Sequence, residues 1–168
     1  MLTSHELIGF MSPALANEIV TFLHDSDKAA YRATLKAVAD ARKVRAVFLE
    51  RQPRAQQYAA VLTTLVRPTS ELLASSVLRQ WLLKKHNAML VDFLTALDIP
   101  HKEGVVEELP ATVEDTKLKS AVDILVSKYP PEVVAVYLNA FNDMNEANWA
   151  NLKTILESDS RLQLGNHA

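Results

Sequence analysis

The sequence predicts an all-α protein, a compact array of about seven or eight helices in a single domain over residues 1–168. Apolar residues recur at spacings of three and four along most of the chain, as in helices that bury one face, and no segment keeps the alternation of a strand. The chain also has only three glycines, whereas the tight turns of a β-rich fold consume glycine and asparagine. Both observations favour helices throughout.

The composition is that of a soluble globular protein. With 49% hydrophobic and 23% charged residues, the chain differs from disordered sequences. The absence of cysteine excludes disulfides, thiolate metal sites and cysteine nucleophiles. The N-terminal stretch has no basic leader before an apolar run, and no apolar run approaches the ~18 residues that span a bilayer. We therefore expect a cytoplasmic protein.

Start signals position the first three helices. Ser4 opens a short helix, and Ser12 followed by Pro13 opens the second, because serine caps free amides and proline loses only an amide that would be unpaired at that position. Ser26 or Asp27 opens the third helix in the same way. These signals predict a helical hairpin directly after the short first helix.

Prolines divide the middle of the chain. Pro53 ends the stretch VRAVFLERQ, and a fourth helix over Tyr58–Leu65 ends before Pro68. The segment TSELLASSVLRQWLLKKHNAMLVDFLTAL then predicts one long central helix, opened by Thr69 or Ser70. Its apolar positions spread widely around the helix, so it should be surrounded by others. We expect its core residues to include Trp81, Leu90 and Phe93.

Residues 99–116 form a polar connection, since two prolines, a glycine and many carboxylates interrupt the helical pattern there. Three further helices follow, over Leu118–Leu125, Val133–Phe141 and Trp149–Leu156. The last of the three completes the predicted helical array.

Two segments, 12–40 and 130–157, have similar patterns. Pro13 aligns with Pro131, and Tyr31 with Trp149, with a one-residue shift beyond. The pair is either a duplicated helical hairpin or two unrelated amphipathic hairpins whose hydrophobic patterns are similar because both bury one face. The polar turn in each favours a capped connection over a ligand site. Over these two segments alone, MSPALANEIVTFL and KYPPEVVAVYLNAF resemble the helical hairpins of superhelical scaffold proteins, in which a proline-bearing turn opens each amphipathic helix.

Candidate residues for chemistry are few, and we predict no catalytic residue, cofactor or metal. Glycine-rich phosphate loops, HExxH and GxSxG are all missing. His86, His101 and Glu103 are the nearest approach to a set of metal ligands, but a solvated loop histidine explains His101 better. The paired carboxylates Glu107 and Glu108 lie in the most polar part of the chain, where solvation explains them.

Charge is distributed unevenly, although the chain has a net charge of only −2. From Arg42 to His86 there are nine basic and two acidic side chains, whereas from Asn87 onward there are six basic and thirteen acidic ones. A basic segment suits an acidic protein surface, an anionic ligand or a nucleic acid. The pI near 6.2 and the lack of a nucleic-acid-binding motif disfavour nucleic acid.

These features favour a non-catalytic protein–protein interaction or scaffold module, which binds a protein partner or a second copy as a homodimer. The predicted interaction surface comprises Arg45, Phe48, Arg51 and Arg54, in a stretch that mixes apolar and basic residues. In the competing interpretation, Phe48 and Leu49 complete the core while the arginines are solvated. The alternative function is a ligand-binding regulatory or enzymatic helical domain with a pocket beside the long central helix.

Overall fold

The structure, a computed structural model, describes residues 1–165 and is all-helical, as predicted. No strand occurs in this range, and none of its helices is long and apolar enough to cross a membrane. Two short 3-10 helices, η1 (Pro68–Ser70) and η2 (Ser160–Leu162), accompany the α-helices. The α-helices of residues 1–165 are α1 (Ser4–Phe10), α2 (Pro13–Ser26), α3 (Lys28–Arg42), α4 (Ala46–Glu50), α5 (Arg54–Leu65), α6 (Glu71–Lys85), α7 (Asn87–Ala96), α8 (Asp115–Lys128), α9 (Pro131–Asn145) and α10 (Ala150–Ser158).

Residues 1–165 contain ten α-helices instead of the seven or eight expected, for two reasons. The stretch after α3 forms the short helix α4, although five residues are too few for a clear apolar period. The predicted long central helix is two helices, because His86 leaves helical geometry with φ −112° and ψ 28°. The expected core residues Trp81, Leu90 and Phe93 are nevertheless buried.

Two predicted helix starts are confirmed in detail. The Ser12 hydroxyl accepts a hydrogen bond from the Leu15 amide at 3.2 Å, and Pro13 is the first residue of α2. Of the two candidates for the next cap, Asp27 is the residue used, since its carboxylate accepts from the Ala30 amide at 3.1 Å. Local cap chemistry therefore fixes where this hairpin begins and turns.

The chain divides into two compact units. The N-terminal unit, Ser4–Trp81, packs α2 against α3 and α5 against both, while α4 lies on α3 and α1 contacts α5. The C-terminal unit comprises Met1–Thr3 and the chain from Leu82 onward. The first residues join it because the Leu2 amide donates to the buried Asn139 side chain at 3.0 Å.

The C-terminal unit is built around α9. Every residue from Val133 to Asn142 is buried, so this helix has no solvent-facing side over that range. Helices α8 and α10 pack against it, and α7 packs against α8. Aromatic rings fill the centre, where Phe93 lies 5.6 Å from Tyr137 and 5.2 Å from Phe141 between ring centroids, edge to face. Burial raises the pKa of Tyr137.

The two similar hairpins differ in how they turn. Asp27 alone separates α2 from α3, whereas residues 146–149 separate α9 from α10, and Glu146 and Asn148 there have positive φ angles of 52° and 50°. Tyr31 lies within α3, while Trp149 precedes α10. The likeness is thus one of hydrophobic pattern, and a duplication stays a prediction.

A carboxylate from α6 fixes the start of α1. Glu71 accepts hydrogen bonds from the amides of Ser4 and His5, both at 2.9 Å, and from the His5 ring at 2.5 Å. Partial burial of Glu71 raises its pKa, but these hydrogen bonds to its charged form together outweigh burial and hold the pKa below its usual value of 4.5. The ionised carboxylate therefore stabilises the folded N-terminal unit.

Replacing Glu71 by glutamine is expected to lower the free energy of unfolding at neutral pH by about 1–2 kcal/mol, allowing for partial solvent screening of the site. A carboxyl whose pKa is depressed on folding stabilises the protein above its unfolded-state pKa, and this stabilisation is lost as the pH falls through the folded-state value. The difference in the free energy of unfolding between wild type and Glu71→Gln, measured by urea titration, should therefore shrink below about pH 4.5. A difference independent of pH would contradict this role of the charge.

Candidate functional site

The most unusual exposed feature of the N-terminal unit surrounds α4. The chain leaves α3 at Lys43, whose φ of 57° is left-handed, and the Val44 amide closes the helix end by donating to the Ala39 carbonyl at 3.0 Å. Arg45 is extended and precedes α4. Because α4 has only five residues and one buried side chain, Leu49, most of its surface faces outward.

Three large apolar side chains are exposed together here. Val44 is 38% exposed, Val47 45% and Phe48 56%, whereas Leu49 is 1% exposed. They form the wall of a shallow concavity of about 590 Å³. We call this the α4 surface, and its residues are Val44, Arg45, Val47, Phe48, Arg51 and Gln52.

Three of the four residues predicted as an interaction surface lie together in the structure, and the fourth lies elsewhere. Arg45, Phe48 and Arg51 lie on the α4 surface, and within residues 1–165 neither of these two guanidinium groups makes an ion pair. Arg54 points into a different group of side chains. The competing interpretation, in which Phe48 completes the core, holds for Leu49 but not for Phe48.

Arg54 is bound to its own unit. Its guanidinium donates to Asp25 at 2.7 Å and to the Tyr58 hydroxyl at 2.8 Å. The hydrogen bond from His24, helped by Arg54, lowers the pKa of Asp25. Burial raises the pKa of the neighbouring Tyr31 to about 12. Arg54 thus joins α5 to the end of α2 through the carboxylate of Asp25, and a purely structural role for this polar turn stays a prediction.

A second feature lies in the C-terminal unit, where the connection between α7 and α8 encloses a groove of about 840 Å³. Apolar side chains alternate with charged ones along it. We call this the acidic groove, and it is lined by Leu97, Asp98, Ile99, Pro100, His101, Lys102, Val105, Glu107, Glu108, Leu109, Pro110, Thr112, Val113, Glu114 and Lys117. Sequence reasoning treated most of this stretch as a solvated connection and missed the groove.

The first part of the connection is fixed to α7. The Asn87 side chain donates to the Glu103 carbonyl at 2.5 Å, and the Gly104 amide donates to His101 Nδ1 at 3.1 Å. Gly104 has a φ of 84°, and a Cβ there would lie 3.1 Å from the Leu90 side chain, so only glycine fits without displacing a neighbour. Gly104 is therefore the residue that permits this closely packed turn.

The last part of the connection is fixed by the start of α10 and by Trp149, which precedes it. Trp149 donates from its ring nitrogen to the Pro110 carbonyl at 3.0 Å, and the Asn151 side chain donates to the Val113 carbonyl at 2.6 Å and to Asp115 at 2.8 Å. These partners are almost forty residues apart in sequence. The connection is therefore an ordered wall of the groove, although it has no helix.

Charge in the groove is mainly negative. Lys117 pairs with Asp98 at 2.5 Å, but Glu107, Glu108 and Glu114 are exposed and make no ion pair within residues 1–165. Exposed carboxylates can attract a cationic group, whereas general acid catalysis usually needs a carboxyl isolated by burial. The arrangement therefore suits binding rather than proton transfer.

The predicted absence of a metal site is not decided by the geometry. Among the described residues, no three histidine, aspartate or glutamate side chains are grouped so that they could hold a metal ion. His101 is used to hold the turn at Gly104, and the carbonyl of Glu103 accepts from Asn87. The absence of metal and of cofactor stays a prediction.

Comparisons with family models, with curated proteins and with solved structures give no match for this chain. Function is therefore inferred from the chain's own residues, chiefly those of the α4 surface and the acidic groove.

Proposed function

We propose that this protein is a cytoplasmic, non-catalytic interaction module that contacts a protein partner through the α4 surface. One observation carries the proposal: Val44, Val47 and Phe48 are exposed side by side, beside Arg45 and Arg51, which have no ion-pair partner in the described chain. Exposed apolar patches framed by polar residues mark interaction sites. Aromatic residues and arginine are also the types enriched where protein interfaces are buried.

A protein partner suits this surface better than a nucleic acid. Phosphate contacts need clustered cations, and stacking needs open aromatic faces on a platform. Here two valines and a single phenylalanine share the concavity with only two arginines, so it has neither clustered cations nor an aromatic platform. A protein segment that presents apolar residues beside carboxylates would satisfy both parts.

A second candidate function has an observation of its own. The acidic groove is of the size of ligand sites, and its apolar lining could hold a ligand that carries a cationic group. This corresponds to the predicted alternative of a pocket beside the central helical region, since Leu97 directly follows α7. The open, hydrated carboxylates favour a binding role over an enzymatic one.

Photo-crosslinking in the native host tests the first proposal. A benzophenone amino acid at position 48 should give a covalent protein adduct, because Phe48 would lie at the centre of the contact. The matched control is position 72, where Leu72 is 88% exposed in the same unit. Failure to form an adduct at position 48, or equal adducts at both positions, would contradict the proposal.

A further inference from the structure

We propose that the partner of the α4 surface is the acidic groove of a second copy of this chain. The inference rests on the proposed function and adds the identity of the partner. It begins from two exposed surfaces of opposite charge, the α4 surface in the N-terminal unit and the acidic groove in the C-terminal unit. Each surface combines exposed charged groups with apolar neighbours.

The charges of the two surfaces are complementary. The α4 surface is lined by two arginines and no acidic residue, so its formal charge is +2. The acidic groove is lined by four carboxylates and two lysines, so its formal charge is −2 with histidine neutral. Since Asp98 and Lys117 already pair, the glutamates at 107, 108 and 114 remain for incoming arginines. Two guanidinium groups can therefore each meet a free carboxylate.

The apolar parts also match in kind and size. Phe48 and its two valine neighbours need an apolar surface to leave water, and the groove offers the exposed Val105 and the half-buried Leu109. Its volume of about 840 Å³ accommodates several side chains. Exposed ion pairs alone contribute little, so burial of Phe48 should supply most of the affinity and the charges should select the partner.

Like charge disfavours the other two pairings. An α4 surface placed on another α4 surface would bring Arg45 and Arg51 against their equivalents, and a groove placed on a groove would oppose its glutamates. The favoured contact joins unlike surfaces. Such a contact closes as a dimer if it is made reciprocally, or continues as a chain if it is not, and either outcome is self-association.

Charge reversal tests the pairing by sedimentation equilibrium in low salt. The wild type should associate with increasing concentration up to about 100 μM, and the double variants Arg45→Glu/Arg51→Glu and Glu107→Lys/Glu108→Lys should each bind at least about tenfold more weakly. Combining all four changes should restore association, because the charges are exchanged between the surfaces. Replacing Phe48 by alanine should also weaken association at least about tenfold.

The matched control is Arg32→Glu/Lys36→Glu, which makes the same charge change on the exposed side of α3 and should leave association intact. Circular dichroism checks that every variant is folded. Raising the salt to about 0.5 M should weaken the wild-type complex, since screening shortens the reach of charges.

Three results would overturn the inference. The first is a wild type that stays monomeric at about 100 μM in low salt, and the second is a variant with all four charge reversals that does not regain association. The third is a salt-dependent change in the compactness of the wild type that does not depend on protein concentration, since that would indicate a contact within one chain. A crosslink from position 48 to a different protein, together with a monomeric wild type, would remove the second copy as partner and leave the proposed function standing. A crosslink to another copy together with recovery by the variant with all four charge reversals supports both. Without any adduct, the proposed function itself fails.

Discussion

Replacing Phe93 by alanine is expected to lower the free energy of unfolding by about 3–5 kcal/mol. The side chain is fully buried in the C-terminal unit and meets the rings of Tyr137 and Phe141 edge to face. Its removal leaves a cavity and loses two aromatic contacts, and the surrounding helices can fill that space only in part. Urea unfolding followed by tryptophan fluorescence measures the loss, since Trp149 lies in the same aromatic group.

The control for Phe93→Ala is Phe48→Ala, which removes the same side chain from the α4 surface. With Phe48 56% exposed, its loss should change the free energy of unfolding by less than about 0.5 kcal/mol. Equal effects of the two changes would show that Phe48 is not the exposed residue described above. The pair therefore separates residues that stabilise the fold from residues available for a contact.

Local signals were sufficient for much of the fold. The caps at Ser12 and Asp27 act within three residues, so the sequence contains everything needed to predict them. The density of apolar residues likewise identified Leu90 and Phe93 as core residues, because a helix that is apolar on most sides is normally surrounded by others. The all-helical class follows from repeating such local choices along the chain.

Features set by distant partners could not be predicted in the same way. The break at His86 has no proline or glycine to mark it, and α4 is too short to show a period. Arg51 and Arg54 look alike in the sequence, but Arg54 meets Asp25, which lies 29 residues earlier. Separating a free arginine from a paired one therefore needs the tertiary contacts.

The acidic groove shows the same limit for the candidate site. Prolines and carboxylates in 99–116 indicated a connection, and the segment between α7 and α8 is residues 97–114, but nothing local shows that its ends are held. Trp149 and Asn151 supply the anchors from almost forty residues away. Gly104 contributed to the prediction that this segment is not helical, and its φ of 84° explains why glycine is needed at the turn.

Replacing Trp149 by alanine should lower the free energy of unfolding by about 3–5 kcal/mol and also release the wall of the acidic groove. Trp149 is 2% exposed, its ring lies 5.3 Å from Phe141, and its ring nitrogen donates to the Pro110 carbonyl. The variant therefore loses core packing and an anchor of the connection together. Limited digestion with a glutamate-specific protease, which cuts beside Glu107 and Glu108, measures the second effect.

Trp149→Phe distinguishes the two effects, because it retains an aromatic ring but cannot donate to Pro110. Loss of that single hydrogen bond should lower the free energy of unfolding by about 1 kcal/mol, the usual net contribution of one hydrogen bond. The matched change in the other hairpin is Tyr31→Phe, which removes a hydroxyl that donates to Gln57 at 2.7 Å and should leave digestion at the groove unchanged. If Trp149→Phe is digested no faster than Tyr31→Phe under conditions where both are fully folded, the hydrogen bond to Pro110 does not hold the groove, and packing of the ring alone positions its wall.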